Sequence, residues 1–183
     1  HGDDQGLVLP PRLAPTQVVI VPIFKNEDEK SRVMEVVARL RQELKGFRIH
    51  VDDRTELTPG FKFNEWEMRI EVGPKDVEKG SLALARRDRP GREGKSFISQ
   101  DQAAAQVAAM LDTIQTALLE RARAFRVANT HFAADYTELA DILQDGWAQA
   151  WWCGSAACEA RVKEDTKATT RCIPLEQPVG EGR

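Results

Sequence analysis

The chain has 183 residues, of which 42% are hydrophobic and 30% charged, and its formal net charge is −3. This length fits one ordinary domain or two small ones, and the apolar content suffices for a core, which argues against a wholly disordered chain. No apolar run approaches the ~18 residues of a membrane helix. The weak negative charge gives no general attraction to nucleic acid, so any RNA contact must come from a local patch. Three cysteines without a secretory signal favour a reducing compartment, with thiols kept for packing or metal binding.

The first third of the chain predicts a strand–helix–strand unit. Residues 1–15 are polar, rich in prolines and lack an initial methionine, so they indicate the end of an upstream segment of a longer protein. Gln17–Val21 is an apolar, β-branched run, typical of a strand covered on both faces. A helix follows, capped by Asn26 and ended by Gly46, and alternation over Phe47–Val51 predicts a second strand. This order predicts a right-handed crossover and an α/β sheet with some parallel pairs.

Shorter elements follow. The pattern predicts a short helix over 61–68, strands over 69–72 and 81–86 joined by a loop, and a charged loop over 88–95. Ser99 and Gln102 form a capping-box signature for a long helix whose apolar face reaches Phe125. We place a domain boundary near residue 130. Beyond it, Asp135 and Glu138 begin another short helix, and a small cysteine-bearing segment ends the chain.

Five sequence strings carry a family resemblance. They are HGDDQGLVLPPRLAPTQVVIVPI, TPGFKFNEWE, IEVGPKDVEKG, WWCGSAACE and KATTRCIPL. In this order they resemble the C-terminal part of the prolyl-tRNA synthetases of the archaeal/eukaryote-like type, over nearly the whole chain. The resemblance implies an α/β fold: a class II synthetase anticodon-binding domain, which is a mixed sheet flanked by helices, followed by a small α+β zinc-type module.

The resemblance divides the chain into three parts. Residues 1–15 correspond to the end of the class II catalytic domain with its third signature motif, in which Arg12 would contact the phosphates of ATP. The planar guanidinium of arginine suits phosphate, although without the resemblance Arg12 would be interpreted as an ordinary surface residue after two prolines. The other two catalytic motifs and the proline pocket lie upstream in the family, so this chain alone should not activate proline.

Residues 16–129 correspond to the anticodon-binding domain. Proline codons begin with CC, so the anticodon carries two guanines. Reading them requires carboxylates for the N1–H and N2–H₂ edge, cations for O6 and N7, and flat side chains for stacking. By resemblance, the anticodon-reading residues are Phe63, Glu67, Arg69, Lys75 and Asp76, with Lys95 as a weaker member.

Each of these assignments has a structural alternative. Glu67 and Arg69 could form a simple ion pair, and GPKD could be only a turn. Phe61 and Trp66 are expected to pack in the core rather than to stack on bases. Two stretches, before Gly46 and between Met68 and Arg69, are shorter than in the family. They are either true deletions in loops or residues missing from the written sequence, and a true deletion would shift Arg69.

Residues 130–183 resemble the C-terminal zinc-binding module of the family. Cys153 and Cys158 would be the first two thiolate ligands of a structural Cys₄ site, whose second pair is expected where the chain stops. Cys172 is not a ligand in the family pattern. The other interpretation, two reduced and partly buried cysteines, has about equal weight for this chain.

The resulting hypothesis is the tRNA-recognition part of a cytoplasmic proline–tRNA ligase. The parent enzyme would use ATP, magnesium and proline, bind tRNA(Pro), form a homodimer and have no membrane contact. The alternative is a stand-alone anticodon-like module that acts as an RNA-binding or scaffolding protein. The first fifteen residues favour the ligase, because a free module has no reason to keep part of a catalytic domain. A third possibility, a domain that mainly holds a dimer together, requires a large apolar patch unmatched by cations.

Overall fold

The structure, a computed structural model, describes residues 2–3, 6–66, 68–89 and 91–176. The chain forms two compact units, residues 1–120 and 121–183, and the division falls within one long helix.

The first unit is built on a five-stranded mixed sheet. Its elements in chain order are the strands β1 (Gly2–Asp3), β2 (Gly6–Leu7) and β3 (Val18–Pro22), α1 (Glu27–Glu43), β4 (Ile49–Val51), α2 (Pro59–Glu65), β5 (Met68–Val72), α3 (Pro74–Lys79), β6 (Ser81–Arg86), β7 (Lys95–Ser99) and the start of α4 (Ala103–Ala128). The spatial order of the sheet is β4-β3-β5-β6-β7. The central strand β3 pairs in parallel with β4 and with β5, whereas β5–β6 and β6–β7 are antiparallel. The predicted α/β sheet with some parallel pairs is confirmed.

One face of this sheet carries the hydrophobic core. Val18 and Ile20 of β3 and Ile70 of β5 point into a cluster that includes the inner faces of α1 and α4. The buried side chains of α1 recur at helical spacing: Val33, Val36, Val37 and Leu40. Asn26 caps α1 as predicted, because its side chain accepts a hydrogen bond from the backbone N–H of Glu29 (2.8 Å). The periodic elements therefore fold where their sequence patterns place them.

The opposite face, which we call the polar face, follows from the strand register. The residues that alternate with the core-facing ones are His50 on β4, Val19 and Val21 on β3, Arg69 and Glu71 on β5, Ala83 and Ala85 on β6, and Lys95 and Phe97 on β7. Arg69 lies opposite Ala85, which lies opposite Lys95 on the next strand. A strip of small residues on β6 thus separates charged residues on β5 and β7.

The helix predicted over 61–68 is α2, which spans Pro59–Glu65, and Met68 instead begins β5. Two further elements were not predicted. Residues 74–79, predicted as a loop, form α3, which begins at Pro74 and ends at Gly80 in the left-handed conformation (φ 63°). Residues 95–99 form β7, although 88–95 was predicted as a loop and Ser99 as the side-chain cap of the long helix. Ser99 instead ends β7 and precedes a 3₁₀ turn over Gln100–Gln102, with no side-chain capping bond. Both elements are too short and too polar to show a periodic pattern.

The second unit consists of the end of α4 and small elements. These are β8 (Thr130–Phe132), α5 (Tyr136–Ile142), β9 (Trp147–Gln149) and α6 (Ala156–Thr166), with β8 and β9 paired in parallel. The predicted start of α5 is confirmed, because Asp135 accepts a hydrogen bond from the Glu138 N–H (2.9 Å). Phe125 was predicted on the buried face of α4 but is mostly exposed, with its ring edge-on to Trp147. Across the part of the chain that the structure describes, no helix combines the length and apolarity needed to cross a membrane.

Candidate functional site

The polar face holds a charged cluster centred on Glu71, a residue that the sequence reasoning did not single out. Glu71 Oε1 accepts a hydrogen bond from Arg69 Nε (3.0 Å), and Oε2 lies 2.5 Å from Lys95 Nζ. The Arg69 guanidinium also donates from one terminal nitrogen to the Phe63 carbonyl (3.1 Å) and stacks over the Phe63 ring at 4.5 Å. We call Phe63, Arg69, Glu71 and Lys95 the Glu71 cluster. It brings together three of the residues assigned by resemblance.

Exposure within the Glu71 cluster differs between the anion and the cations. The side chain of Glu71 is 6% exposed, that of Arg69 16% and that of Lys95 33%. Both carboxylate oxygens are occupied, so Glu71 has little capacity to accept further hydrogen bonds. The cations retain donors that these contacts do not use, because Arg has five N–H groups and Lys has three. The cluster therefore presents a net positive charge to solvent.

A second buried carboxylate, Asp52, fixes α2 beside this cluster. Its two oxygens accept hydrogen bonds from Arg54 (2.8 and 2.7 Å), and Oδ2 also accepts one from the Trp66 indole N–H (3.2 Å). Buried Lys62 of α2 donates to the Asp52 carbonyl (3.0 Å), with its Nζ 3.7 Å from Oδ1. The bidentate contact with Arg54 is the main reason why the pKa of Asp52 lies well below its usual value, and Trp66 and Lys62 lower the pKa further. Asp52 thereby holds α2 in the position in which the Phe63 carbonyl accepts the hydrogen bond from Arg69.

The two aromatic residues expected in the core differ from each other. Phe61, on the outer side of α2, is 55% exposed, so its core prediction is wrong. The reason is that the side chain buried on this part of α2 is that of Lys62, whose ammonium pairs with Asp52. Trp66 is half-buried, bonded to Asp52 and tilted against His50 at 5.3 Å.

Lys75 and Asp76 lie in the first turn of α3, just beyond the carboxyl end of β5. Asp76 Oδ2 accepts the backbone N–H of Gly73 (3.0 Å), so one of its oxygens stabilises the turn into α3. Lys75 is exposed and makes no ion pair with another residue in the part of the chain that the structure describes. Glu67 lies outside the described residues.

A cavity of about 280 Å³ opens at the carboxyl ends of β3 and β4. Its walls come from the segment after β3, from the turn before α2 and from Lys62: Pro22, Ile23, Phe24, Asp53, Arg54, Thr55, Glu56, Leu57, Thr58, Pro59 and Lys62. In open sheets, ligands bind beyond the carboxyl ends of the strands where the strand order reverses, and β3 is that strand here because β4 and β5 lie on either side of it. Helix α2 contributes to both the cavity and the Glu71 cluster.

The segment that carries Arg12 is fixed to the first unit through its backbone. The guanidinium of Arg48 donates to the carbonyls of Ala14 (2.8 Å), Pro11 (3.0 Å) and Arg12 (3.2 Å). The Arg12 N–H donates to the Gln115 side chain (3.2 Å), while the Arg12 side chain is exposed. The geometry places Arg12 on the surface of this unit.

The two cysteines expected to bind zinc adjoin the start of α6. Cys153 and Cys158 are exposed free thiols, not partly buried as one alternative held. Their hydrogen bond lowers the pKa of Cys153 and raises that of Cys158. A closed structural zinc site needs four ligands, and no group of three or more His, Cys, Asp or Glu residues suited to a metal occurs among the described residues. The described residues therefore fit half of such a site and not a whole one.

Comparisons with known protein families match both parts of the chain. Residues 17–111 match the family described as "Anticodon binding domain", and residues 136–183 match "Prolyl-tRNA synthetase, C-terminal". The first match contains every residue of the Glu71 cluster, together with Asp52, Lys75 and Asp76. The second contains Cys153 and Cys158.

Curated relatives match the chain from end to end. A proline–tRNA ligase from Roseiflexus castenholzii is 56% identical over 189 residues, which cover 100% of this chain and 39% of the relative. The chloroplastic/mitochondrial proline–tRNA ligase of Arabidopsis thaliana is 48% identical, over 98% of this chain and 35% of its own length. The chain thus spans well under half the length of these relatives. The first alignment is longer than the 183-residue chain, so this relative has insertions relative to the chain.

A solved structure agrees with these matches. The prolyl-tRNA synthetase of Cryptosporidium parvum, complexed with L-proline and AMP, superposes with a TM-score of 0.83 at 34% identity, over 97% of this chain and 40% of that one. The sheet order, the two family matches and the full-length relatives agree with one another. The chain therefore belongs to the prolyl-tRNA synthetase family and corresponds to the C-terminal part of its members, including a domain of the anticodon-binding family.

Proposed function

We propose that this chain is the tRNA-recognition part of a proline–tRNA ligase, and that its first domain binds the anticodon of proline tRNA. The observation that carries the proposal is the Glu71 cluster. It places an aromatic ring, an arginine and a lysine side by side on one sheet face, inside the segment that matches the anticodon-binding family. These are side chains that single-stranded RNA recognition uses.

The chemistry of guanine assigns a role to each group. Arg69 and Lys95 retain unused donors for O6 and N7, and Phe63 and the 70% exposed Phe97 offer rings for stacking. Asp76 has one oxygen bonded to Gly73, and its carboxylate would accept from the N1–H and N2–H₂ edge. Lys75 is exposed and would add a cation there. Glu67 keeps its proposed role as a second acceptor on the strength of the sequence resemblance.

The whole protein would activate proline with ATP and magnesium and transfer it to the tRNA. Residues 1–15 would be the end of the catalytic domain, 16–129 the anticodon-binding domain and 130–183 the C-terminal module. Arg12 would bind ATP, and its exposed side chain on a segment fixed by Arg48 is compatible with that role. We extend the proposal to a homodimer in the cytoplasm, on the basis of the family resemblance. The alignment of the relatives over the entire chain, residues 1–15 included, supports a ligase over a stand-alone RNA-binding or scaffolding module.

The cysteine pair belongs to the same proposal. Cys153 and Cys158 would be two ligands of a structural zinc site in the full-length protein, supported by their proximity and by the match to the C-terminal family. X-ray fluorescence at the zinc edge, compared between the purified protein and its Cys153→Ser variant, tests this. Equal zinc content in the two proteins would contradict it.

Anticodon binding itself is tested by equilibrium binding of the full-length protein to two RNAs. One is proline tRNA, and the other is the same tRNA with both anticodon guanines replaced by adenines. We expect tighter binding of the first, and Lys95→Met to reduce this preference by about tenfold, the value of one good base contact. The control is Arg32→Met, which removes an exposed cation of α1 on the other side of the sheet. Equal binding of the two tRNAs by the parent protein would refute the proposed function.

A further inference from the structure

We infer that Glu71 is a positioning residue for anticodon recognition: it contacts no base, and it holds Arg69 and Lys95 in the geometry in which they donate to guanine. This inference rests on the proposed function and adds to it a residue that the family resemblance left unassigned.

The register of the sheet shows why one carboxylate can hold both cations. Arg69 and Glu71 are alternate residues of β5, so their side chains share a face and meet directly. Lys95 is on β7, two strands away, and its side chain must cross β6 to reach Glu71. It can do so because the residues of β6 that lie between Glu71 and Lys95 on this face are Ala83 and Ala85. Neighbouring strands lie about 4.8 Å apart, so a longer side chain at either alanine would obstruct the path.

The contacts of the two Glu71 oxygens indicate that Glu71 positions other residues and does not contact a base itself. One oxygen accepts a hydrogen bond from Arg69 and the other from Lys95, and the Glu71 side chain is almost entirely buried. A carboxylate that reads guanine must be accessible to N1–H and N2–H₂, whereas Glu71 is 6% exposed and each of its oxygens already binds a cation. The carboxylate instead fixes one edge of the guanidinium, while the Phe63 carbonyl and ring fix another edge and one face. The donors of Arg69 and Lys95 that these contacts do not use are then the groups left for a base.

Glu71→Gln keeps the shape of the side chain and removes its charge. In this variant Lys95 loses its counter-charge, and one oxygen of Glu71 becomes an amide donor that cannot accept from a cation. The two cations are then free to sample other rotamers. We expect the preference for guanine over adenine in the anticodon to fall about tenfold, through KM for the tRNA, because each donor is oriented for only part of the time.

The test measures aminoacylation by the full-length protein with proline tRNA and with the adenine-substituted tRNA, and proline-dependent ATP–pyrophosphate exchange without tRNA. The ratio of kcat/KM values for the two tRNAs should fall in Glu71→Gln while the exchange rate is unchanged. The matched control is Asp88→Asn, which breaks the ion pair with Arg86 at a carboxylate that is also 6% exposed. This control should lower stability without changing the ratio.

Each outcome decides the inference. A ratio in Glu71→Gln equal to that of the parent overturns it, as does an equal fall in Asp88→Asn, which would make the effect one of stability alone. If Glu71→Gln is unfolded at the assay temperature, Glu71→Asp replaces it, since aspartate is too short to reach both cations, and an unchanged ratio again overturns the inference. A parent protein that does not distinguish the two tRNAs refutes anticodon binding itself. If the parent protein distinguishes the two tRNAs and the Glu71 variant distinguishes them equally well, only the role of Glu71 is refuted.

Discussion

Replacing Asp52 by alanine should destabilise the first unit by about 3 kcal/mol, because this change removes the anion that holds α2 to the end of β4. Asp52 is fully buried and serves Arg54, Lys62 and the Trp66 indole. Removing one partner of a buried ion pair typically costs about 3–5 kcal/mol, because the remaining charge is left uncompensated.

The lower end of that range follows from the exposure of the partners. The Arg54 side chain is 37% exposed and can recover solvation when Asp52 is lost, so its contribution is small. The Lys62 side chain is only 5% exposed and cannot. Among the described residues, the Lys62 ammonium then keeps the carbonyl of residue 52 as its acceptor, and the Trp66 N–H loses its acceptor. The larger part of the cost therefore comes from Lys62.

The assay is urea unfolding of the chain, followed by NMR signals of β3 so that the first unit is observed separately. Asp53→Ala is a matched control: it removes the same charge one residue further along, at an exposed side chain, and should change the free energy of unfolding by less than about 0.5 kcal/mol. An Asp52→Ala variant that loses under about 1 kcal/mol, or no more than the control, would refute the reasoning. The indole N–H signal of Trp66 should also move in the first variant and stay in place in the second.

Three further predictions follow from local geometry. The folded pKa of Asp52 lies below its ordinary value of 3.8, so the stability it contributes, measured as the difference between the parent and Asp52→Asn, should be constant above about pH 5 and decrease as pH falls below 3.8. Gly94→Ala should cost more than about 2 kcal/mol in thermal or urea unfolding, because its Cβ would lie 1.7 Å from the Arg89 carbonyl oxygen, whereas Gly46→Ala, which meets nothing within 4 Å, should be nearly neutral. Asn26→Ala should cost about 1 kcal/mol in the same assay, through loss of the α1 cap.

The sequence predicts the central part of the fold well, because elements that bury one face carry apolar residues at regular spacing along the chain. The run Gln17–Val21 and the observed β3 differ by one residue at each end, and the cap and apolar stripe of α1 are where their residue types place them. The elements that were missed, α3 and β7, have no such spacing. Helix α3 is a short segment without buried side chains, and β7 is an edge strand with mostly exposed residues.

The candidate site is predictable by residue type and only partly by arrangement. The resemblance selected Phe63, Arg69 and Lys95, and the structure brings them together. Glu71 was missed because its partner Lys95 is 24 residues away in the chain, and no local pattern connects them. The available signal was the polar alternation of Arg69 and Glu71 in an otherwise apolar strand, which indicates a polar face but not a partner. Asp52 was missed because its burial depends on Lys62 and Trp66, which are 10 and 14 residues away, although its other partner Arg54 is only two residues away.

Asp52 and Glu71 have complementary roles on the polar face, and together they determine which groups remain for RNA. Both carboxylates are buried and each of their oxygens already binds a cation of the protein, so neither is accessible to a base. Donors on Arg69 and Lys95 remain available, so this part of the face can offer guanine only hydrogen-bond donation and stacking. The acceptors that distinguish guanine from adenine must come from elsewhere, and Asp76, one oxygen of which is engaged by Gly73, is the described carboxylate placed for this at the end of β5. Under the proposed function, discrimination between the two purines would therefore use the donors of Arg69 and Lys95 for O6 together with the Asp76 acceptor for N1–H and N2–H₂.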